Sequence, residues 1–338
     1  MTNSLLLDCG SGGRASQRLI TGLFLKYFDN DILRTLNDAA IVSLSSPVAI
    51  STDSYTITPL FFPGGNIGSL AIHGTINDVS MLGAKPLYIT CAFILEEGLE
   101  LDILERIVAS MAEAAHTASI KVITGDTKVV PRGCCDKIFI NTTGIGEVLV
   151  DPAPSGSRAE PGDVIIVSGS IGDHGLTVFG QREGIDFLSQ VESDSAPLNV
   201  MVEQLIQEVR DIHVLRDPTR GGLATTLNEI ASQSSVVCYI EESLMPIHDV
   251  VRSGCDILGL DPLYLANEGK LLCILPSEKE ELALDVMRSF PQGSEARKIG
   301  FVSDAGKTTR PGQVILHTVI GGYRLLNMLE GDQLPRIC

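Results

Sequence analysis

Four aspartates in the first half of the sequence occur in settings that suit metal and phosphate binding. They are Asp38, Asp53, Asp78 and Asp126, and Lys128 follows the last of them closely. Carboxylates that converge from separate elements repel one another unless a cation neutralises them, and Mg²⁺ prefers oxygen ligands. The sequence therefore predicts a Mg²⁺ site at these aspartates, with Lys128 holding a phosphate. The alternative stays open that each aspartate is only a turn or cap residue.

A second reactive group stands at the end of the sequence, where residues 335–338 read Pro-Arg-Ile-Cys. Chain ends are usually mobile, so the thiol of Cys338 could reach outward and carry a group between sites. An ordinary cysteine is mostly thiol near neutral pH, and we therefore expect Cys338 to accept a strongly activated acyl donor. The alternative is a frayed terminus that happens to end in cysteine.

Two motifs in the second half add candidate groups. The stretch 216–222 reads Arg-Asp-Pro-Thr-Arg-Gly-Gly, which predicts a helix capped by Asp217 with Pro218 at its first position, and therefore an anion site between two arginines. Glu268, in Asn-Glu-Gly before a strand-like run, is a candidate general base at a turn. His73 and His174 rank lower, because most lone histidines are structural.

Strands and helices alternate in both halves of the chain, which indicates an α/β architecture. Apolar residues at helical spacing predict helices over 67–82 and 102–119, and apolar runs predict strands over 40–44, 87–95, 137–150 and 163–168, among others. A Pro/Gly/Ser cluster at 151–156 is the clearest boundary. These elements must bring the aspartates together if they are to share a cation.

Composition excludes several classes of protein. The formal net charge is −17, which argues against nonspecific binding to nucleic acid or to an anionic membrane. No apolar run approaches the roughly 20 residues that span a bilayer, and the start lacks a basic segment before its short apolar run. We therefore expect a cytoplasmic protein. The eight cysteines include no Cys-x-x-Cys pair, so a zinc ribbon is not expected.

Taken in order, these motifs resemble a known superfamily over essentially the whole chain. The matching segments are 9–13, 73–84, 125–128, 216–223, 267–269 and the terminal Pro-Arg-Ile-Cys. They resemble the superfamily of aminoimidazole ribonucleotide synthetase, selenophosphate synthetase and thiamine-phosphate kinase and, within it, the hydrogenase maturation family HypE, to which the Pro-Arg-Ile-Cys end belongs. Selenophosphate synthetases carry a reactive cysteine or selenocysteine near the N-terminus with a lysine soon after it, and Cys9 has no such lysine nearby.

The resemblance implies a two-domain α/β (α+β) fold of the aminoimidazole ribonucleotide synthetase type. It implies a flexible glycine-rich segment at 1–36, an ATP-binding and dimerisation domain at 37–150, a C-terminal α/β domain at 151–330 and a mobile tail at 331–338. The N-terminal domains would form a homodimer through a barrel-like interface with the nucleotide near it. The implied ATP and Mg²⁺ site comprises Asp38, Asp53, His73, Asp78, Gly125, Asp126, Thr127, Lys128 and Arg216.

The resemblance also implies a reaction. The carbamoyltransferase HypF places a carbamoyl group on Cys338, ATP activates its oxygen, and dehydration leaves a cyano group that passes to iron on the HypC–HypD complex. Glu268 would be the base, and Lys128 would stabilise the transferring phosphoryl group. Two alternatives remain: another ATP-dependent enzyme of the superfamily, such as a selenophosphate synthetase, and a non-enzymatic scaffold.

Overall fold

The computed structural model describes residues 4–10, 13–36, 39–185, 191–330, 334 and 337. Short 3₁₀ helices at Leu7–Gly10 and Leu33–Thr35 and a π-helical stretch at Ile20–Phe24 accompany the first elements. Up to residue 148 the elements in chain order are α1 (Gly13–Leu19), α2 (Leu25–Phe28), β1 (Val48–Tyr55), β2 (Phe61–Phe62), β3 (Gly65–Asn66), α3 (Ile67–Met81), β4 (Ala84–Glu96), α4 (Leu101–Thr117), β5 (Lys121–Val130) and β6 (Ile138–Val148).

Local chemistry explains the ends of α3. The side chain of Asn66 accepts hydrogen bonds from the backbone N–H groups of Gly68 and Ser69, and the Ser69 hydroxyl accepts one from the Asn66 N–H. This reciprocal cap satisfies donors that the first helical turn leaves unpaired. After Leu82 the chain turns at Gly83, whose φ of +64° favours glycine. The helix predicted over 67–82 is confirmed, as is the helix predicted over 102–119 within two residues.

The first sheet has the strand order β1-β6-β4-β5, so β1 and β5 are its two edges. Strand β6 runs antiparallel to β1 and β4, whereas β4 and β5 are parallel and are joined through α4. Helices α3 and α4 cover one face. The opposite face is open and carries the exposed apolar side chains of Val48, Ile50 and Ile94.

The second half forms a larger sheet after the chain leaves the first one. The strand order is β13-β12-β9-β11-β7-β10-β8, and only the β9–β12 pair is parallel. Single 3₁₀ turns lie at Glu242–Leu244, Pro262–Tyr264, Ser277–Lys279 and Pro291–Gly293. The elements are β7 (Asp163–Val167), α5 (Asp173–Glu183), α6 (Asn199–Glu208), β8 (Val214–Arg216), α7 (Gly222–Ser234), β9 (Val237–Glu241), α8 (Asp249–Leu258), β10 (Leu272–Pro276), α9 (Glu280–Arg288), β11 (Arg297–Ser303), β12 (Gln313–His317) and β13 (Tyr323–Leu326).

Both faces of the second sheet are covered, which explains why β7 is buried along its whole length and apolar after Asp163. Side chains of α7 pack in the core on one face, and those of α6 and α9 pack in the core on the other. Helices α5 and α8 contribute instead to the core of the first sheet. That core also contains Leu334 and Ile337, each 8% exposed, so two described tail residues are packed.

Three sequence predictions differ from the structure. The helix expected to begin at Pro218 begins at Gly222, because Gly221 and Gly222 have φ values of +75° and +61° that interrupt a helix. Residues 40–44 do not form a strand. Within the segment predicted to be flexible, residues 13–28 are helical and bury Phe24 and Phe28. In the described part of the chain, no helix is long and apolar enough to cross a membrane.

Candidate active site

Four carboxyl groups from separate elements line one cavity of about 380 Å³. Asp53 comes from β1 and Asp78 from the last turns of α3, whereas Asp217 follows β8 and Glu268 precedes β10. We call this cavity the acid pocket. Its other lining residues are Thr52, Ser54, Tyr55, Gly74, Thr219 and Arg220. The first sheet and the loops of the second half therefore meet at this point.

The carboxyl groups hold their protons more strongly than free aspartates do. Burial, together with the nearby charge of Asp78, raises the pKa of Asp53 to about 6, and Arg220 partly opposes the rise. Burial and the charge of Asp217 raise the pKa of Asp78 to about 6, although its Oδ2 accepts a hydrogen bond of 2.7 Å from the Ser51 hydroxyl. Burial likewise raises the pKa of Asp217 to about 6. A cation in the pocket would relieve this repulsion.

Glu268 is the most deeply buried of the four, at 4% exposure. Burial raises its pKa well above the usual carboxyl value, and the charges of Asp217 and Asp194 add to the effect. Its backbone is fixed, since its N–H donates to Asp194 Oδ1 at 3.0 Å and its carbonyl accepts from Asn77 Nδ2 at 3.2 Å. Its Oε1 has no hydrogen-bond partner among the residues that the structure describes. The backbone of Glu268 is thus held in place, while the Oε1 atom of its side chain keeps an unused capacity to accept a hydrogen bond.

Asp217 is a pocket residue that the sequence prediction misassigned. Asp217 was expected to cap a helix, but its carboxyl lies in the acid pocket beside Asp78 instead. The glycines at 221 and 222 were the available signal, because adjacent glycines rarely begin a helix without another reason. Arg216, the arginine predicted to bind the nucleotide, pairs with Glu229 at 2.6 Å.

The predicted residues at 125–128 line a different cavity, of about 540 Å³, which we call the β5 pocket. The side chains of Asp126 and Lys128 are mostly exposed and lie 3.3 Å apart. Gly125 has a structural role, because an added Cβ would approach the carbonyl oxygen of Cys91 to 2.1 Å. Thr127 also lines this pocket, as do residues of α1, the π-helical stretch and α2.

Within one chain the predicted aspartates therefore do not share one site, because Asp53 and Asp126 lie on opposite edges of the first sheet. Asp53 lies on edge strand β1 and shares the helix-covered face with Tyr55, which is buried. Asp126 lies on the opposite edge strand, β5, paired with Ala92 of β4. Because the neighbours of Ala92 in β4 are buried against the helices, Ala92 and Asp126 face the open side. Asp38 and Cys338 lie outside the described residues.

Both histidines are buried and fixed by hydrogen bonds. His73 Nδ1 lies 3.1 Å from the Ser195 hydroxyl, and burial lowers the pKa of His73 to about 4. His174, at the start of α5, has its Nε2 atom 2.7 Å from the backbone carbonyl oxygen of Ile337. This contact could not be predicted from the sequence, because the two residues are 163 positions apart in the chain.

The acid pocket suits a hard cation in its donor chemistry. Among the described residues, no three His, Cys, Asp or Glu side chains form a complete metal site. Asp53 and Asp78 nevertheless present carboxyl oxygens beside one another, and Mg²⁺ is commonly held by one or two carboxylates with phosphates and water. The pocket residues therefore fit Mg²⁺ bound together with a nucleotide.

The raised pKa values predict how pH changes the stability of the metal-free protein. An unfolded aspartate has a pKa near 3.9, whereas the pKa of Asp78 in the fold is about 6. Between these values the folded chain binds more protons than the unfolded chain, so stability falls as pH rises. We expect the melting temperature of Asp78→Asn, relative to wild type, to increase by a few degrees from pH 4 to 7 in chelator.

Asp304→Asn, which alters an exposed side chain outside the acid pocket, is the matched control for effects of pH that do not arise in the pocket. A constant difference between Asp78→Asn and wild type across this range would contradict the assignment of a raised pKa in the fold. Thermal melts in EDTA at intervals of pH make the measurement.

Both halves of the chain match models of a known protein family. The profile of the AIR synthase related protein, N-terminal domain, matches residues 36–148, and that of the C-terminal domain matches residues 160–312. A protein of Cupriavidus necator called carbamoyl dehydratase HypE is 49% identical, with the alignment covering 97% of this chain and 93% of that protein.

Solved structures agree with the sequence comparison. A crystal structure of the hydrogenase maturation protein HypE in complex with ATP matches with a TM-score of 0.97 and 66% identity, covering 99% of this chain and 100% of that one. A structure of a HypE–HypF complex matches with a TM-score of 0.81 and 45% identity, covering 92% and 99%. The chain is thus similar along nearly its whole length to proteins that bind ATP and HypF.

Proposed function

This chain belongs to the HypE family of carbamoyl dehydratases, within the AIR synthase related proteins, and from that premise we propose that it dehydrates a carbamoyl group carried on Cys338. The product would supply the cyanide ligands of the iron centre in nickel–iron hydrogenases. One structural observation carries the proposal for this chain. Ile337, which precedes Cys338, is docked on His174 in the core of the first sheet, and a short segment at 193–195 connects His174 to Glu268 of the acid pocket.

The reaction balances as an ATP-driven loss of water. The carbamoyl oxygen of the S-carbamoyl group attacks the γ-phosphorus of ATP, which forms a C–O–P linkage and releases ADP. Loss of the remaining N–H protons and departure of phosphate then convert the carbon to a nitrile bonded to sulfur. Activation is required because oxygen leaves poorly until it is phosphorylated. The overall change is thiocarboxamide plus ATP to thiocyanate plus ADP and phosphate.

The described residues supply recognisable roles. Glu268 is our candidate base, since burial raises the pKa of this carboxyl and so makes its ionised form a stronger base, and its Oε1 atom has no hydrogen-bond partner among the described residues. Asp53 and Asp78 would hold Mg²⁺, which neutralises phosphate charge in phosphoryl transfer. Lys128 would stabilise the transferring phosphoryl group, with Asp126 beside it.

A homodimer would bring together the two edge strands that carry the separated aspartates, Asp53 and Asp126. The free edges of the first sheet are β1 and β5, and its open face is partly apolar. If two copies close edge to edge into a barrel-like interface, β5 of one copy lies beside β1 of the other. The strand that carries Asp126 and Lys128 in one subunit would then run beside the strand that carries Asp53 in its partner, with ATP near this shared edge.

We further propose a role for each of the four segments. Residues 1–36 would cover the nucleotide, and residues 37–150 would bind the nucleotide and form the dimer. Residues 151–330 would support the acid pocket, and residues 331–338 would carry the transferred group. HypF would load the carbamoyl group on the tail, and the HypC–HypD complex would accept the cyanide, all in the cytoplasm. A selenophosphate synthetase would keep its activity without the tail, which separates that alternative from our proposal.

The mass of the C-terminal peptide tests the function directly. The protein is incubated with HypF and its carbamoyl donor, and the peptide released by cleavage after Glu330 is weighed before and after addition of Mg-ATP. We expect the peptide first to gain a carbamoyl group and then to lose one water molecule. A carbamoylated peptide that never loses water in the presence of Mg-ATP would refute the proposed activity.

A further inference from the structure

His174 is a buried histidine that is hydrogen-bonded to the C-terminal tail. The residue is fully buried at the start of α5, and its ring meets the edge of Phe62 at a centroid distance of 5.6 Å. Its Nε2 atom lies 2.7 Å from the Ile337 carbonyl oxygen, and its Nδ1 atom lies 2.8 Å from the Ser193 hydroxyl. Both ring nitrogens are thus occupied, one of them by the tail.

The partners determine which nitrogen carries the proton. A carbonyl oxygen can only accept, so Nε2 must be the N–H donor to Ile337. Burial lowers the pKa of His174, which favours the neutral ring, and in that form Nδ1 accepts a hydrogen bond. The Ser193 hydroxyl can donate to it, while the same oxygen accepts from the Ser195 N–H at 3.1 Å. The three hydrogen bonds therefore form one chain with a single direction. The Ser195 N–H donates to the Ser193 hydroxyl, that hydroxyl donates to His174 Nδ1, and His174 Nε2–H donates to the tail.

Apolar packing supports the same docked position. Leu334 and Ile337 are each 8% exposed and belong to the core that contains Phe62 and Leu176. Burial of these side chains favours the docked tail but does not fix the orientation of its backbone, because the hydrophobic effect is not directional. The hydrogen bond to the Ile337 carbonyl fixes the position of the backbone immediately before Cys338.

The same short segment also fixes the candidate base. Asp194 lies between Ser193 and Ser195, and its Oδ1 accepts the backbone N–H of Glu268 at 3.0 Å. An added Cβ on Gly269 would lie 1.8 Å from the Asp194 carbonyl oxygen, so the two backbones are in close contact. Residues 193–195 thus position both the docked tail and Glu268.

We propose that His174 is the positioning residue that holds the tail in its docked state, through the Nε2–H donor that Ser193 fixes and the Ile337 carbonyl. This proposal rests on the proposed function for its purpose, which is to hold Cys338 at a constant place relative to Glu268. The contact between His174 and Ile337 itself requires no nucleotide, partner or carbamoyl group.

The rate at which a small alkylating reagent modifies the Cys338 thiol tests the proposal in the full chain alone. Removing a net hydrogen bond of ordinary strength should raise that rate about three- to tenfold in His174→Phe, which keeps a ring without nitrogen donors. His174→Gln retains an amide donor near the Nε2 position and should give an intermediate rate. Ser193→Ala should raise the rate about twofold, since it removes only the fixing of the tautomer.

Controls separate this effect from general loosening of the fold. His213→Gln alters another buried histidine, bonded to Asp163 at 2.8 Å, and should leave the Cys338 rate unchanged. In the same molecules Cys134 is exposed and Cys273 is buried, so their labelling reports overall access and unfolding. If His174→Phe fails to fold, His174→Gln and Ser193→Ala carry the test.

Unchanged Cys338 rates in all folded variants of His174 and Ser193 would overturn the proposal, as would an equal increase in His213→Gln. A wild-type protein that is never dehydrated in the peptide-mass experiment would instead overturn the proposed function and leave the contact intact. The two failures are therefore distinguishable.

Discussion

We expect that replacing Cys338 with alanine abolishes cyanide production and leaves the fold and the binding of Mg-ATP nearly unchanged. In the proposed reaction the thiol is both the acceptor of the carbamoyl group and the atom that carries the cyano product, and no other group in the tail is a nucleophile of this kind. The described contacts of the tail come from the side chains of Leu334 and Ile337 and from a backbone carbonyl, which the substitution does not alter. Cyanide transfer to an iron acceptor, thermal melting and nucleotide titration measure the three quantities.

Cys134→Ala is the matched control, because Cys134 is an exposed free cysteine outside the tail. It should leave cyanide transfer at the wild-type level. Normal transfer by Cys338→Ala would show that the carbamoyl group is carried elsewhere, and the proposed chemistry would have to be abandoned.

We expect Asp78→Asn to weaken the binding of Mg-ATP by about tenfold or more, since an amide keeps the shape of the side chain but removes the charge that a hard cation needs. The variant should remain folded, because the neutral amide no longer repels Asp217. Asp126→Asn should weaken binding as well if the β5 pocket of one subunit completes the acid pocket of its partner. Calorimetric titration with Mg-ATP provides the affinities.

Mixing the two variants tests whether one nucleotide site draws on both subunits. In a mixed dimer one site would contain both substitutions and the other neither, so exchange at equal amounts should restore about a quarter of the wild-type sites. If Asp78 and Asp126 of the same chain act together, every site in a mixed dimer keeps one substitution and no recovery follows. Unchanged affinity in both single variants would show that the metal site is elsewhere.

The helices that could be predicted from sequence are those whose ends carry their own signals. Asn66 and Gly83 bound α3 by local hydrogen bonding and by backbone conformation, both of which depend on nearby residues alone. The same local reasoning misassigned Asp217. An aspartate before proline suits a helix cap, but the carboxyl points into a pocket built by β1 and α3, which lie far away in the sequence.

The candidate site shows the same limit. Period-two alternation indicates that Asp53 and Tyr55 share a face, but it cannot give the order of strands in the sheet. That order places Asp53 and Asp126 on opposite edges. His174 could not be recognised either, because its functional contact is with a residue 163 positions further along the chain. A lone buried histidine carries no sequence signal for such a partner.

The core of the first sheet contains residues from both ends of the chain, since Leu5 is fully buried in it together with Ile337. Domains generally fold from the N-terminal side while the ribosome is still adding residues. The surface around Phe62 and His174 must therefore stay uncovered until the segment that contains Leu334 and Ile337 has been translated. Because Ile337 directly precedes Cys338, this core is completed at nearly the same stage of synthesis at which the Cys338 thiol first appears.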